Sequence, residues 1–407
     1  MPDLSKDPRA IARAFVTQVT GRIGVAVSGG SDSLAALLLL HEAAPGRIWA
    51  ATVDHNLRAD SAAEAEMVQR FCAARDIAHY TLPWQPADMA GNLPHRARIA
   101  RYSLLSTWAR EAFLAGVVIA HNREDQAETY LMNLGRSAGI DGLSAMRDRW
   151  RVEGVPFYRP FMALSRKALR DVLRAGAISW VDDPTNDDPH YQRVRLRRLL
   201  PQLAEAGIET TDITRAALHL SQVSEALDWA LTAAVGDPTT PAGEIVLPVA
   251  QYRSLPTAMR YRLLLRALDW IGGPAYPPRG PELTGLDQAL FGASRRTLGG
   301  CLFTSGARHL RITREVAAVG AAVPAGVLFD GRWQLAGQLP QGALIGRLGG
   351  AIAEFPDWRA SGYSRASLMA GPAIWQAQRL IAAPLLQPDA KWQAEVVRKF
   401  NMTPLSH

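Results

Sequence analysis

The chain has 407 residues, 48% of them hydrophobic and 20% charged, and a formal net charge of +7. At roughly 100–200 residues per domain this length makes two or three domains, and the composition excludes a disordered or fibrous chain. No apolar run approaches the ~18 residues that cross a bilayer, and the first residues, with Asp3 and Asp7, lack the compact apolar core of a secretory signal, so a cytoplasmic protein without a membrane partner is expected.

Residues 22–27 (Arg-Ile-Gly-Val-Ala-Val) read as a short buried strand, followed by a Gly/Ser loop and a Leu/Ala-rich helix over Ser33–Glu42 that Pro45-Gly46 ends. Ile48–Val53 is a second strand, Ser61–Arg75 a helix, Ile77–Leu82 a third strand and Leu93–Ala115 a long basic helix. Val117–Ala120 is a fourth strand, with a helix over Glu124–Leu134. Strands alternating with helices predict a parallel sheet with crossover helices. Ligands then sit beyond the carboxyl ends of the strands, so the loops after Val27, Val53 and Ala120 are expected to line one crevice. Further on, Ser165 caps a helix reaching about Ala175, a polar loop covers Asp182–Pro189, and Arg193, Arg195, Arg197 and Arg198 form a basic burst. Asp212–Ala234 and Leu255–Trp270 read as helices, residues 296–314 as a hairpin around Ser305-Gly306, and 319–326 as a boundary.

The loop Ser28-Gly29-Gly30-Ser31-Asp32-Ser33 carries the strongest chemical signal. Its glycines let backbone approach a ligand, the N–H groups of the following helix start form an anion site, and Asp32 can hold magnesium or simply complement the helix dipole. No lysine follows a glycine, which rules out a Walker loop, and there is no Gly-x-Gly-x-x-Gly fingerprint. Asp54 and His55 end one strand and His121 follows another, each either nucleotide contacts or strand-end turns. Asp125 and Glu128, at i and i+3, share a helix face; they suit an ammonium group or magnesium, or are an acidic helix start. Arg98 and Arg101 share a face likewise and suit phosphate, or form a solvated basic surface. The same two readings hold for the burst at 193–198, where an RNA backbone is the alternative to solvent. All but Lys6, Lys167, Lys391 and Lys399 of the 45 basic residues are arginines, whose forks match phosphate geometry; this permits a nucleic-acid partner without establishing one. Cys72 and Cys301 are the only cysteines and stand far apart, which gives a zinc site or disulfide no support.

The run at 28–33 resembles the pyrophosphate loop of the N-type ATP pyrophosphatases. Within that superfamily, Val53-Asp54-His55-Asn56-Leu57-Arg58, Gly91-Asn92, Ala97-Arg98-Ile99-Ala100-Arg101-Tyr102 and Ala120-His121-Asn122-Arg123-Glu124-Asp125-Gln126-Ala127-Glu128-Thr129 follow in the order of the bacterial tRNA(Ile)-lysidine synthetases. Gly142-Leu143, Arg159-Pro160-Phe161, Ser165-Arg166, Asp183-Pro184-Thr185-Asn186, Tyr191-Gln192-Arg193 and Leu298-Gly299-Gly300-Cys301 continue the resemblance. Asn122 stands where a second histidine is usual and Glu124 where the first aspartate is; Gly135-Arg136-Ser137-Ala138-Gly139 varies the usual Arg-Gly-Ser-Gly.

The resemblance implies an α/β parallel-sheet PP-loop domain over 1–210, a mainly helical substrate domain over 211–318 and a small α+β domain over 327–407 that contacts tRNA. It implies ATP and Mg2+ as cofactors, and as partners a CAU-anticodon tRNA(Ile) and free L-lysine; a homodimer is compatible with it. ATP is expected at Ser28–Ser33 with Asp54, His55 and His121, magnesium at Asp32, lysine at Asp125 and Glu128, and tRNA at Arg193, Arg195, Arg197 and Arg198. Asp32, Arg101 and Asp125 are the expected catalytic residues. A tRNA thiolase of the same superfamily would pass sulfur through cysteines, and an amidotransferase relative would carry a glutamine-splitting domain with a reactive cysteine; Cys72 and Cys301 fit neither. A non-catalytic RNA-binding protein on a relic nucleotide fold is the rival from another class.

Overall fold

The computed structural model describes residues 7–54, 61–85, 93–182, 188–273, 278, 280–387 and 391–400. It divides into two compact units at residues 222 and 223.

In the first unit, helix α1 (Pro8–Gln18) opens with Asp7, whose side chain accepts from Arg9 N. Strand β1 (Ile23–Ala26) leads into α2 (Ser31–Ala43), β2 (Ile48–Asp54) into α3 (Ser61–Ala73), and β3 (Ala78–Pro83) into α4 (Leu93–Glu111). Strand β4 (Gly116–Ile119) leads into α5 (Arg123–Leu134) and the single turn α6 (Ile140–Leu143). The hairpin β5 (Arg149–Val152) and β6 (Val155–Tyr158) follows, then α7 (Arg166–Ala175), α8 (Gln192–Glu205) and α9 (Thr210–Val235), within which the unit ends.

The sheet order is β3-β2-β1-β4-β6-β5. Strands β1, β2, β3, β4 and β6 run parallel, while β5 is antiparallel to β6. The sequence pattern missed this hairpin; its turn at Glu153 (φ 49°) and Gly154 (φ 82°) places both central residues in the left-handed region, as two-residue hairpin loops prefer. Helix α2 is apolar on every side because its Leu34–Leu40 run is fully enclosed, sharing a core with Ile23 and Val25 of β1, Phe15 of α1 and Leu169 of α7. On the other sheet face α4 sets Leu105 and Trp108 against Val117 and Phe157. Gly24 is required there, since a Cβ would lie 2.6 Å from the Trp108 ring.

The strand order reverses between β1 and β4. A doubly wound sheet opens its crevice at such a switch point, outside the carboxyl ends of the two strands. Helices α2 and α5 both begin there.

The second unit holds the end of α9, then β7 (Ile245–Pro248), α10 (Val249–Ser254), α11 (Thr257–Ala267), α12 (Gly280–Leu290), β8 (Ser294–Leu298), β9 (Cys301–Ser305) and β10 (His309–Arg314). In its antiparallel sheet, ordered β7-β10-β9-β8, the first arm of the expected hairpin is split by a turn at Gly299-Gly300 into β8 and β9, and β7 pairs with the far side of β10. Tyr252, Leu263, Leu264 and Phe303 are at the centre of its core. Strands β11 (Trp333–Ala336), β12 (Leu344–Arg347), β13 (Pro372–Gln376), β14 (Arg379–Ala382) and β15 (Gln393–Val396) form two small sheets, with α13 (Arg365–Ala370) beside them. No described helix is long and apolar enough to cross a membrane.

Candidate active site

The 28–33 loop is held by its own hydroxyls. Ser28 N donates to Ser33 Oγ at 3.1 Å, and Ser33 Oγ donates to Gly30 O at 2.9 Å. Gly29 takes φ 81°, where a side chain would be strained. Gly30 caps α2 without a side chain, which leaves the helix N-terminus open to an anion. Arg170 of α7 donates through Nε to Ser31 Oγ at 3.2 Å and through Nη2 to Asp182 at 3.0 Å.

Asp32, on the first turn of α2, meets the start of α5. Asn122 Nδ2 donates to Asp32 Oδ2 at 2.8 Å. Asn122 also caps α5: its Oδ1 accepts from Asp125 N at 2.9 Å while Asp125 Oδ2 accepts from Asn122 N at 3.0 Å, a reciprocal capping box. Asp32, Asp125 and Glu128 converge on Arg166, at 3.5, 3.1 and 3.8 Å. Arg197 Nε donates to Glu128 Oε1 at 3.0 Å. Two guanidiniums, Arg166 and Arg197, thus face the three carboxylates of Asp32, Asp125 and Glu128. Burial, with Asp125 adding to it, pushes Asp32 up to about 6 despite Arg166. Burial raises Glu128 as well, against the pull of Arg197. Burial alone would lower Arg166, but Asp125, Asp32, Glu128 and Glu124 outweigh it and raise it. Asp32 Oδ1 and Glu128 Oε2 are buried without a hydrogen-bond partner. A buried carboxylate oxygen without a partner is uncommon in a folded protein and marks a place where a proton, a water or a cation would be stabilising.

Beside this acidic pocket stands a cationic one. Arg98 and Arg101 of α4, Arg193 of α8 and Arg159 after β6 surround His121 and Tyr102. Burial lowers His121 well below its ordinary value, and Arg159, Arg101, Arg193 and Arg98 lower it further. Burial would raise the Tyr102 phenol, but Arg98, Arg101 and Arg159 outweigh it and bring it down. The expected residues thus fall into two groups, with Asp32, Asp125 and Glu128 in one and Arg101, His121 and Arg193 in the other. Asp54 ends β2; His55 lies outside the described residues, as do 56–58, 91–92 and 183–187. Arg195 Nη1 donates to the carbonyls of Pro189 and His190, at 2.8 and 2.9 Å, and so braces its own loop. Arg197 faces the acidic pocket; Arg198 is exposed on α8. Sequence reasoning named Arg159 and Arg166 only as parts of motifs and gave them no role.

Comparison with known proteins decides the family. The model of the PP-loop domain matches residues 4–203. The tRNA(Ile)-lysidine synthase of Ruegeria pomeroyi is 42% identical over 388 residues, covering 94% of this chain and 93% of its own. This chain belongs to the tRNA(Ile)-lysidine synthase family. The Brucella anthropi enzyme of that name is 34% identical over 411 residues, with 91% and 87% covered. Among solved structures, the U34-tRNA thiolase NcsA from Methanococcus maripaludis, with its [4Fe-4S] cluster, is 16% identical, covers 53% of this chain and 78% of its own, and has a TM-score of 0.46; at that distance the likeness says nothing of substrate.

The family's PP-loop chemistry makes the chain an ATP-using ligase that acts in tRNA modification. The two departures from the family motif have structural jobs. Asn122 replaces a titratable ring by an amide that binds Asp32 and caps α5. Glu124 Oε2 accepts from Arg166 N at 2.8 Å and ties the start of α7 to α5.

Proposed function

We propose that the crevice makes lysidine on the wobble cytidine of a CAU-anticodon tRNA(Ile), switching its decoding from AUG to AUA. The observation that carries this reading is the pairing of an acidic and a cationic pocket at one sheet switch point, behind an open pyrophosphate loop. ATP lies with its phosphates on the 28–33 loop and the arginine cluster. Asp32, whose Oδ1 is buried without a hydrogen-bond partner, would hold Mg2+; among the described residues no cluster of three or more His, Cys, Asp or Glu gathers for a metal, so the ion would draw its other ligands from ATP and water. When bound, the ion neutralises charge on the phosphates.

The chemistry has two steps. The O2 of the cytidine attacks the α-phosphorus, the bond to the β-phosphate oxygen breaks, and pyrophosphate leaves with the electron pair. Arg101 and its neighbours stabilise the charge developing on the phosphates. The ε-amine of lysine then attacks C2, the C2–O bond breaks, AMP leaves, and the amine loses a proton. Asp125 and Glu128 bind the lysine α-ammonium; Glu128 Oε2 has no hydrogen-bond partner, and because the side chain is fully buried it must be uncovered for that contact. Holding both substrates in one crevice supplies effective molarity. Arg198 faces the RNA backbone, and the chain beyond 211, including 327–407, holds the tRNA body.

Buried thiols speak against sulfur transfer. Burial pushes both Cys72 and Cys301 up to about 12, whereas a sulfur carrier needs an accessible thiolate. The deciding experiment is incorporation of labelled lysine into unmodified CAU-anticodon tRNA(Ile) transcript with ATP, comparing wild type with Asp32→Asn. Incorporation with AMP release, lost in the variant, is expected. ATP cleavage without lysine incorporation would overturn the lysine assignment.

A further inference from the structure

We propose that Arg159 is a positioning residue that holds His121 as a neutral imidazole with its proton on Nε2, so that the ring presents a fixed N–H donor, and no base, to the anion bound in the crevice. Arg159 Nε lies 2.8 Å from His121 Nδ1. A guanidinium can only donate, so the nitrogen facing it carries no proton, and the ring proton must sit on Nε2. Among the described residues Arg159 is the ring's only hydrogen-bond partner.

Arg159 is itself clamped. It is 5% exposed, its guanidinium lies 3.6 Å from the Trp150 ring centroid, its N donates to Asp148 O at 2.8 Å, and Nη1 donates to Arg147 O. Strand β5 and the chain before it therefore fix where Arg159 points, and Arg159 fixes the imidazole. The charged groups that weigh most on His121 are Arg159, Arg101, Arg193 and Arg98, all cations, and each opposes a second proton on the ring. Cations of α4 and α8 and a polarised N–H on one site suit a phosphate-type anion. That this anion is ATP, or the AMP it yields, rests on the function proposed above; the tautomer does not.

The test uses the full chain labelled with 15N-histidine, its His121 ring signals assigned by their absence in His121→Gln. Wild type is expected to show one protonated and one bare ring nitrogen, unchanged from about pH 6 to about pH 8. In Arg159→Met the exclusive tautomer is lost. In Arg159→Gln the exclusive tautomer is lost as well, because the glutamine amide can turn its oxygen as readily as its nitrogen to Nδ1 and a side chain that only donates is gone. An Nδ1–H ring, or an imidazolium forming within that range, overturns the proposal in wild type alone, whether or not the variants fold. Lysine incorporation checks the donor role. His121→Gln, whose amide can stand in for Nε2–H, stays within about 10-fold of wild type, while His121→Ala loses about 100-fold, as removal of a donor to developing charge does. Equal losses in the two overturn the donor role. If wild type makes no lysidine at all, the function proposed above fails while the ring spectra still decide the tautomer.

Discussion

Asp32→Asn is expected to stabilise the protein while abolishing its reaction. Asp32 is 22% exposed at its side chain and faces Asp125, Glu128 and a single shared guanidinium. Its carboxyl rises from the ordinary 3.8 to about 6 in the folded chain. The native state therefore binds this proton more tightly than the unfolded chain, and stability falls as pH rises through the window from 3.8 to about 6. Above that window the ionised group costs the ligand-free protein about 3 kcal/mol, at about 1.4 kcal/mol per pH unit. The asparagine keeps its contact with Asn122 and removes the charge; Arg166 retains Asp125 and Glu128. A kcal/mol moves the midpoint of a unit this size by roughly 2–4 °C, so about 10 °C is the ceiling, and losing the Arg166 contact brings the expected gain to about 5 °C. Thermal melts of ligand-free wild type and variant near pH 7.5 and near pH 4 measure it: the gap is expected at the higher pH and closed at the lower. Magnesium with ATP should stabilise wild type more than the variant. A variant less stable than wild type near neutral pH, or a gap indifferent to pH, would refute the claim that Asp32 stores unfavourable charge for a cation.

Glu128→Gln should raise the lysine KM by about 10- to 100-fold, the worth of a hydrogen bond to a charged group, with little change in the ATP KM; the reverse pattern would move Glu128 to the nucleotide. Replacing Cys72 and Cys301 together by alanine should leave lysidine formation near wild type, since both thiols are buried, and a selective loss of activity in a folded variant would reopen sulfur chemistry. Arg198→Ala should weaken tRNA binding and flatten its salt dependence, whereas Arg195→Ala should leave both nearly unchanged, because Arg195 is bound to carbonyls of its own loop. Binding assays at two salt concentrations separate the pair.

The parts of the fold legible in the sequence are those whose signals are local. The strand–loop–helix at 23–43 and the serine cap before α7 needed only neighbouring residues; Ser165 Oγ accepts from Ala168 N at 3.1 Å, as a cap should. Helix α1 was missed although Asp7-Pro8 carries a start signal, a cap followed by proline in the first turn. Helix α8 was hidden by its run of arginines and by Pro201 inside it. The site was harder. Motif order brought Asp32, Asp125 and Glu128 to notice, but their meeting point, Arg166, lies 134 residues from Asp32 and 41 from Asp125. Nothing in local spacing encodes such a contact. The same holds for Arg159, whose partner His121 is 38 residues away.

The arginine excess illustrates how composition divides once the chain folds. A net charge of +7 invites reading the arginines as an RNA surface, yet many are internal ties. Arg262 and Arg266 both bind Asp228, Arg260 binds Asp287 at 2.8 Å, and Arg314 binds Asp330 at 2.8 Å. Arg260 and Arg314 each have a carboxylate of their own, while Arg262 and Arg266 share one, so most of this charge is cancelled locally and contributes little to a distant field. The cluster of Arg98, Arg101, Arg159 and Arg193 is different in kind: the charges that weigh on Arg101 and His121 include no carboxylate, and burial followed by the neighbouring cations lowers the proton affinity of both. A protein keeps mutually repelling cations together at a cost in stability, just as it keeps Asp32, Asp125 and Glu128 together. On the function proposed above, both costs would fall when ligands of the opposite charge arrive, a cation and an ammonium on one side and phosphates on the other. The two pockets would then act as one device, in which the binding of ATP with its metal and of lysine relieves strain of opposite sign at neighbouring places and so favours the fully loaded crevice.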